Sequence, residues 1–272
     1  MNLLFLGDVV GRAGRDAVIA ALPGLRARLK LDFVVVNAEN SAAGFGLTSK
    51  IANEIFEAGA DCVTLGDHAF DQKEMLAHID TEPRILRPLN YANSAPGGGA
   101  RLFNAPRGKR VLVAVALGRI FMAKPFGDPF SAIEAALKKH PLGAGADAVI
   151  VEIHAEATSE KTAVGHYFDG KASLIVGTHT HVPTADAMIL PKGAAYQTDA
   201  GMCGDYDGVI GMDKAEPLRR FVTGMSGGRF VPGEGEGGLS GVFVETGPDG
   251  RARRVSPLRL GGRLPELVPE VY

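Results

Sequence analysis

Six short apolar runs narrow the possible folds more than any other feature of this chain: Leu3 to Leu6, Phe33 to Val36, Cys62 to Leu65, Val111 to Leu117, Ala148 to Ile153 and Leu174 to Val176. Each is rich in β-branched or bulky apolar residues and bounded by polar or glycine-containing turns, so each reads as a buried strand. Segments of helical period lie between them, predicting helices over 14–29, 48–58 behind Thr48 as N-cap, 71–78 and 129–139. Strands alternating with helices make βα units and a largely parallel or mixed sheet, an α/β fold. After about residue 182 the texture turns to glycine-rich turns and short strands, predicted at Phe221 to Gly224, Gly241 to Thr246 and Arg253 to Leu258. That tail reads as an antiparallel sheet packed on the first half. The stretch YANSAPGGGARLFNAPRGKR reads as a loop or edge hairpin.

A chain of 272 residues fits one α/β domain, expected to span 1–272. Hydrophobic residues at 46% and charged residues at 22% supply a full core. The net charge of -2 provides no general field for gripping DNA or RNA, so stable nucleic-acid binding is not expected and any nucleotide-like ligand must be held locally. Cys62 and Cys203 form no metal or redox motif and are expected to be reduced, structural thiols in a reducing compartment. The first residues run into Asp8 without a basic region or cleavage site, and no apolar stretch reaches the roughly eighteen residues of a membrane span. A cytoplasmic protein without membrane attachment is the expectation.

The residues just past each strand carry the chemistry. The ends are Gly7-Asp8, Asn37-Ala38-Glu39-Asn40, Gly66-Asp67-His68, His154, and Gly177-Thr178-His179-Thr180-His181. Ligands of open α/β sheets bind at the carboxyl ends of strands, so these five clusters should converge. Carboxylates and imidazoles without thiolates suit divalent Mn, Fe, Zn or Co. Glu39 is the natural bridge for two ions about 3.5 to 4 Å apart, the arrangement that activates water and clamps a phosphoryl group. Taken singly, each element has a plainer reading: Asp8 as a helix N-cap or turn former, Asn37 and Asn40 as turn residues, His68 and His154 as hydrogen-bonded histidines. His179 and His181 differ, because alternate strand or turn positions place both imidazoles on one side, where a buried pair repels if protonated unless a metal holds it. Gly11, Arg12, Gly14 and Arg15 near a helix start are equally a phosphate contact or a glycine-rich turn.

The stretches GDVVGRAGRD, VVVNAENSAAGFGLT, TLGDHAFDQKE, ILRPLNY, HAEATSEK, VGTHTHVPTAD and YQTDAGMCG together resemble the YmdB family of calcineurin-like metallophosphoesterases, over nearly the whole chain. The resemblance implies a four-layer α/β/β/α sandwich of two mixed β-sheets. It implies two divalent transition-metal ions, iron or manganese foremost, with zinc and cobalt as alternatives. Asp8, Glu39, Asn40 and His181 would hold one ion; Glu39, Asp67, His154 and His179 would hold the other. His68 would contact the phosphate and protonate the leaving oxygen, after attack by a hydroxide bridging the metals. The implied substrate is a small phosphorylated molecule, usually a 2′,3′-cyclic nucleotide, hydrolysed as a phosphodiester or phosphomonoester.

Two positions depart from the wider superfamily. Val10 stands where many members carry a histidine two residues after the first aspartate, with Asn40 replacing that ligand, and Asp67 replaces the asparagine of a GNH motif. Aspartate still ligates through oxygen but adds a negative charge that holds the cation more tightly. The rival readings are a catalytically weak regulatory protein that binds a nucleotide or metal, and a metal-dependent amidohydrolase, which opens with paired histidines on its first strand rather than late in the chain. A homo-oligomer is left open by the sequence.

Overall fold

The computed structural model describes residues 1–124 and 126–271. Side chains alternate along a strand, so one apolar run can serve two cores. In β1 (Asn2–Leu6), Leu3 and Phe5 enter one core and Leu4 and Leu6 another, all four fully buried. A strand buried on both faces belongs inside a sheet. Accordingly β1 pairs in parallel with β3 (Phe33–Asn37), with Leu4 opposite Val34.

Among the described residues, the first sheet runs β2 (Asp8–Val9), β12 (Met202–Asp205), β13 (Gly237–Thr246), β1, β3, β4 (Cys62–Thr64), β5 (Ile85–Leu86), with β14 (Ala252–Leu260) also paired to β13. The second runs β10 (Met188–Ile189), β11 (Ala195–Gln197), β9 (Leu174–Thr178), β8 (Ala148–His154), β7 (Lys109–Leu117), β6 (Ala100–Ala105). Leu3, Phe5, Phe33 and Val35 of the first sheet meet Val111, Val113, Val115, Ile150 and Val176 of the second in one shared core. The outer face of the first sheet packs on α1 (Gly11–Arg28) and α2 (Ser49–Glu57) through Val18, Leu22, Leu25, Ile51 and Ile55. That of the second packs on α4 (Pro129–Lys139) and α5 (Thr158–Phe168) through Ile133, Leu137, Val164 and Phe168. The result is the four-layer α/β/β/α sandwich of two mixed sheets. Each fully buried aliphatic side chain contributes about 1.5–3 kcal/mol.

All six apolar runs form strands, as do two of the three predicted in the tail, and Thr48 caps α2 by accepting a hydrogen bond from the Ile51 N–H at 3.3 Å. The predicted edge hairpin is β6 and β7, antiparallel at the margin of the second sheet. Three expectations are corrected. Phe221 to Gly224 is the end of α6 (Ala215–Thr223), closed by Gly224 in the left-handed conformation at φ 70, which glycine adopts without strain. The tail builds no sheet of its own: β13 inserts between β12 and β1, and β11 pairs in parallel with β9. The helix predicted over 71–78 shortens to α3 (Met75–His78). No described helix is long and apolar enough to cross a membrane.

The strands β1, β3 and β4 run parallel in one sheet and β7, β8 and β9 parallel in the other. Their carboxyl ends release Asp8, Glu39 and Asn40, Asp67 and His68, His154, and the segment from His179 to His181.

Candidate metal centre

Four of the predicted ligands converge tightly. One donor atom each from Glu39, Asp67, His154 and His179 lie within 4.8 Å of one another. At the centre, His154 Nε2 is 3.0 Å from Glu39 Oε1, 3.1 Å from Asp67 Oδ1 and 3.0 Å from His179 Nδ1. Gly66 permits this approach: a β-carbon there would run into both the Glu39 carboxylate and the His154 imidazole. Of the strand and turn placements the sequence offered for His179 and His181, the structure takes the turn. They follow β9 with φ of 96 and 64, in the left-handed region that non-glycine residues rarely occupy. Such backbone persists only where its surroundings impose it. Asp199 does so by accepting from Thr180 N–H at 3.1 Å, Thr180 Oγ1 at 2.7 Å and Lys161 Nζ at 2.7 Å.

The remaining predicted ligands are Asp8, Asn40 and His181. Asp8 is fully buried; Oδ2 accepts from the His179 N–H at 3.2 Å, and Oδ1 has no hydrogen-bond partner among the described residues. His181 Nδ1 donates to the Ile210 carbonyl at 2.8 Å, and burial lowers its pKa, so the ring is neutral and its Nε2 bears a lone pair. That lone pair faces Asn40 Oδ1 at 3.3 Å. Asn40 is held in this orientation because its amide donates to the Gly44 carbonyl at 3.0 Å. Two lone pairs turned toward each other suit a cation held between oxygen and nitrogen donors, and a buried carboxylate oxygen without a hydrogen-bond partner is a further donor free to take one.

A buried relay sets the orientation of His154. Glu152 Oε1 accepts from Asn37 Nδ2 at 2.6 Å and from the Thr178 hydroxyl at 2.7 Å. Having given its proton to Glu152, Thr178 can only accept from His154 Nδ1, 2.9 Å away. His154 Nε2 is thereby turned to Glu39 and Asp67, as in the carboxylate-supported histidines of metal sites. Asn37 Oδ1 also accepts from the Glu39 N–H at 3.1 Å, tying Glu39 to the same relay. Sequence reasoning assigned roles to neither Glu152 nor Thr178. The signal was available, because residues two apart on β8 share a face and Glu152 lies two before His154.

Without a metal the electrostatics are unbalanced. Burial pushes the Asp8 carboxyl up to about 7. Burial likewise pushes Glu152 up to about 7. Burial works against a charged His154, but the Glu39 carboxylate and the bonds from Asp67 and Glu39 outweigh it and raise its pKa well above the usual value. Asp67 is held low: burial opposes its charge, and hydrogen bonds from His154 and His179 overcome that. A proton on His154 thus stands where a cation would sit, and cation uptake must expel it.

His68 lies at the edge of this cluster. Its backbone N–H donates to Glu39 Oε2 at 3.1 Å, its Nδ1 is 2.7 Å from Asp71 Oδ2, and Phe45 meets its ring edge-on at 5.2 Å. Asp71 leaves Nε2 as the nitrogen available for chemistry. Glu39, Asn40, His68, His179 and His181 all line one cleft of ≈ 470 Å³. Arg12 and Arg15 do not line it: Arg15 donates to the Ser41 carbonyl at 2.9 Å, and Gly11, Arg12, Gly14 and Arg15 form the first turns of α1 rather than a glycine-rich turn.

Comparison with known proteins gives a consistent result. The sequence profile of a family described as YmdB-like protein matches residues 4–258. A Bacillus subtilis (strain 168) protein named 2′,3′-cyclic-nucleotide 2′-phosphodiesterase is 45% identical over 249 residues, covering 90% of this chain and 91% of that protein. The crystal structure of a hypothetical protein from Thermus thermophilus superimposes with a TM-score of 0.89 at 42% identity, covering 97% of this chain and 100% of the other. A crystal structure described as a novel phosphatase from Mycoplasma pneumoniae superimposes with a TM-score of 0.88 at 35% identity, covering 96% and 93% of the two chains.

Proposed function

This chain belongs to the YmdB-like family and is a metal-dependent phosphoesterase, and from that premise we propose that it hydrolyses 2′,3′-cyclic nucleotides at a site for two divalent ions, iron or manganese, with His68 as general acid. The observation that carries the reading is the convergence of the Glu39, Asp67, His154 and His179 donor atoms within 4.8 Å, at a cleft shared with His68. Glu39, Asp67, His154 and His179 would hold one ion, and Asp8, Glu39, Asn40 and His181 the other, Glu39 serving both. Bound there, the ions supply Lewis acidity toward the phosphoryl oxygens and lower the pKa of a water molecule.

The chain's own residues do the rest. The Thr178 and Glu152 relay fixes His154, and Asp199 holds the strained turn that carries His179 and His181. His68, protonated at Nε2 and supported by Asp71 at Nδ1, delivers its proton to the oxygen that leaves phosphorus. The negative charge of Asp67 favours retention of a doubly charged cation. One core built from both sheets supports reading 1–272 as one catalytic unit. Cys62 and Cys203, both free and buried, fit work in the reducing cytoplasm.

Hydrolysis of 2′,3′-cyclic AMP by Mn²⁺-loaded protein, followed by release of the nucleoside monophosphate, tests the reading. Replacement of His68 by alanine should leave bound metal intact and lower turnover about a hundredfold or more. Metal uptake without any turnover by the unmodified protein would instead favour a binding-only regulatory role.

A further inference from the structure

Half of the cleft wall has no part in metal binding or proton transfer. It is formed by apolar side chains, among them Phe45, Ile210, Met212, Pro217, Phe221 and Phe230. No lysine or arginine lines the cleft among the described residues. A second phosphate would therefore find no counter-charge, and a charged substituent would face an apolar surface that cannot solvate it. Whatever accompanies the scissile phosphate must be neutral, with an apolar face.

The placement of Phe221 adds to this. It is 85% exposed, although it belongs to α6, whose only buried residue among those described is Pro217. Burying a ring stabilises a fold and leaving one in water does not, so folding alone gives no reason for an aromatic residue at this cleft mouth. Its neighbour Phe230 is committed structurally: the Arg220 guanidinium sits 3.9 Å from its ring centroid and is itself held by Glu216 at 2.7 Å. That stack anchors α6, while the Phe221 ring stays exposed. Nucleobases stack on such rings whatever their sequence identity, because every base has a π-face.

We propose that Phe221, with Ile210 and Met212, forms the stacking wall for the nucleobase of the substrate. The inference rests on the phosphodiesterase reading of the same cleft and specifies how substrate is chosen there. The wall bears no side-chain donor or acceptor to read base edges, so recognition is by stacked area: all four bases are accepted, and purines bind better than pyrimidines. Phosphodiesters without a base lose the contact and bind more weakly.

The test measures turnover and binding separately on metal-loaded protein. The KM for 2′,3′-cyclic AMP should lie roughly tenfold or more below that for methyl riboside 2,3-cyclic phosphate, which lacks the base. Phe221→Ala should erase most of that difference and the purine preference with it, and Phe221→Trp should restore both. The same comparison by calorimetric titration, using adenosine 3′-monophosphate against ribose 3-phosphate, does not depend on catalysis. If no substrate turns over yet the nucleotide still binds more tightly and Phe221→Ala removes the advantage, the stacking wall stands and the phosphodiesterase reading falls. If the base confers no advantage in binding, or Phe221→Ala weakens based and baseless ligands alike, the wall is refuted whether or not the protein is a catalyst.

Discussion

Replacing Glu152 by glutamine separates the energetic burden of the metal-support relay from its benefit. The carboxylate is fully buried, its Oε2 has no hydrogen-bond partner among the described residues, and burial raises its pKa from 4.5 to about 7. A raised acid pKa means the folded state prefers the protonated form, so its ionisation costs stability as pH rises through about 7. Integrating that shift with unfolded and folded values of 4.5 and about 7 gives a penalty near 1 kcal/mol at pH 5 and about 3 kcal/mol at pH 8. Glutamine cannot ionise. In metal-free protein, therefore, Glu152→Gln should look more favourable at pH 8 than at pH 5 by about 2 kcal/mol, whatever fixed cost its unpartnered amide adds. Metal affinity should move the other way, weakening roughly tenfold to a hundredfold as His154 loses its charged support. Urea denaturation of chelator-treated protein at the two pH values, with calorimetric Mn²⁺ titration, reads both. A variant whose stability change is the same at pH 5 and pH 8, and whose metal affinity is unaltered, would refute the relay.

Related perturbations have distinct signatures. Gly66→Ala places a β-carbon against Glu39 and His154, so bound metal measured by elemental analysis should drop severalfold or more while the circular dichroism spectrum stays that of the parent. Lys161 and Asp199 form a fully buried ion pair at 2.7 Å, and Lys161→Met leaves Asp199 buried without its partner. That change should cost about 3–5 kcal/mol in urea unfolding, and a loss under 1 kcal/mol would mean the pair is not buried as described. Metal-free protein should lose stability as pH rises from about 6 to 8, because Asp8, Glu152 and His154 all have raised folded pKa values and each favours the protonated fold. Asp67 and Glu39, held low, ionise in both folded and unfolded chains over that range and add no slope. A flat profile in thermal melts of chelator-treated protein would contradict this. Metal binding should release protons over the same interval, visible as a dependence of the titration heat on buffer ionisation.

The strands were legible because runs such as Val111 to Leu117 are buried on both faces and so appear as unbroken apolar stretches. Helix α5 escaped notice because its inward face carries Lys161 and Gly165 beside Val164 and Phe168, which blurs the apolar period. Phe221 to Thr223 mimicked a strand by composition, yet these residues lie exposed on α6, where local β propensity decides nothing. Asp8, Glu39, Asn40, Asp67, His154, His179 and His181 could be found from the ends of strands, and the structure brings all of them to one region. Their supports could not be found in that way. Asp71 matters only through its 2.7 Å contact with His68, and Asp199 only because α5 delivers Lys161 and the β9 turn delivers Thr180 to the same carboxylate.

The most direct test is an anomalous difference map from crystals of the protein loaded with Mn²⁺. Two peaks less than about 4 Å apart on either side of the Glu39 carboxylate, one bordered by Asp67, His154 and His179 and the other by Asp8, Asn40 and His181, are the predicted result. Crystals saturated with Mn²⁺ that show no peak at Glu39, or peaks only at surface carboxylates, would contradict the assignment.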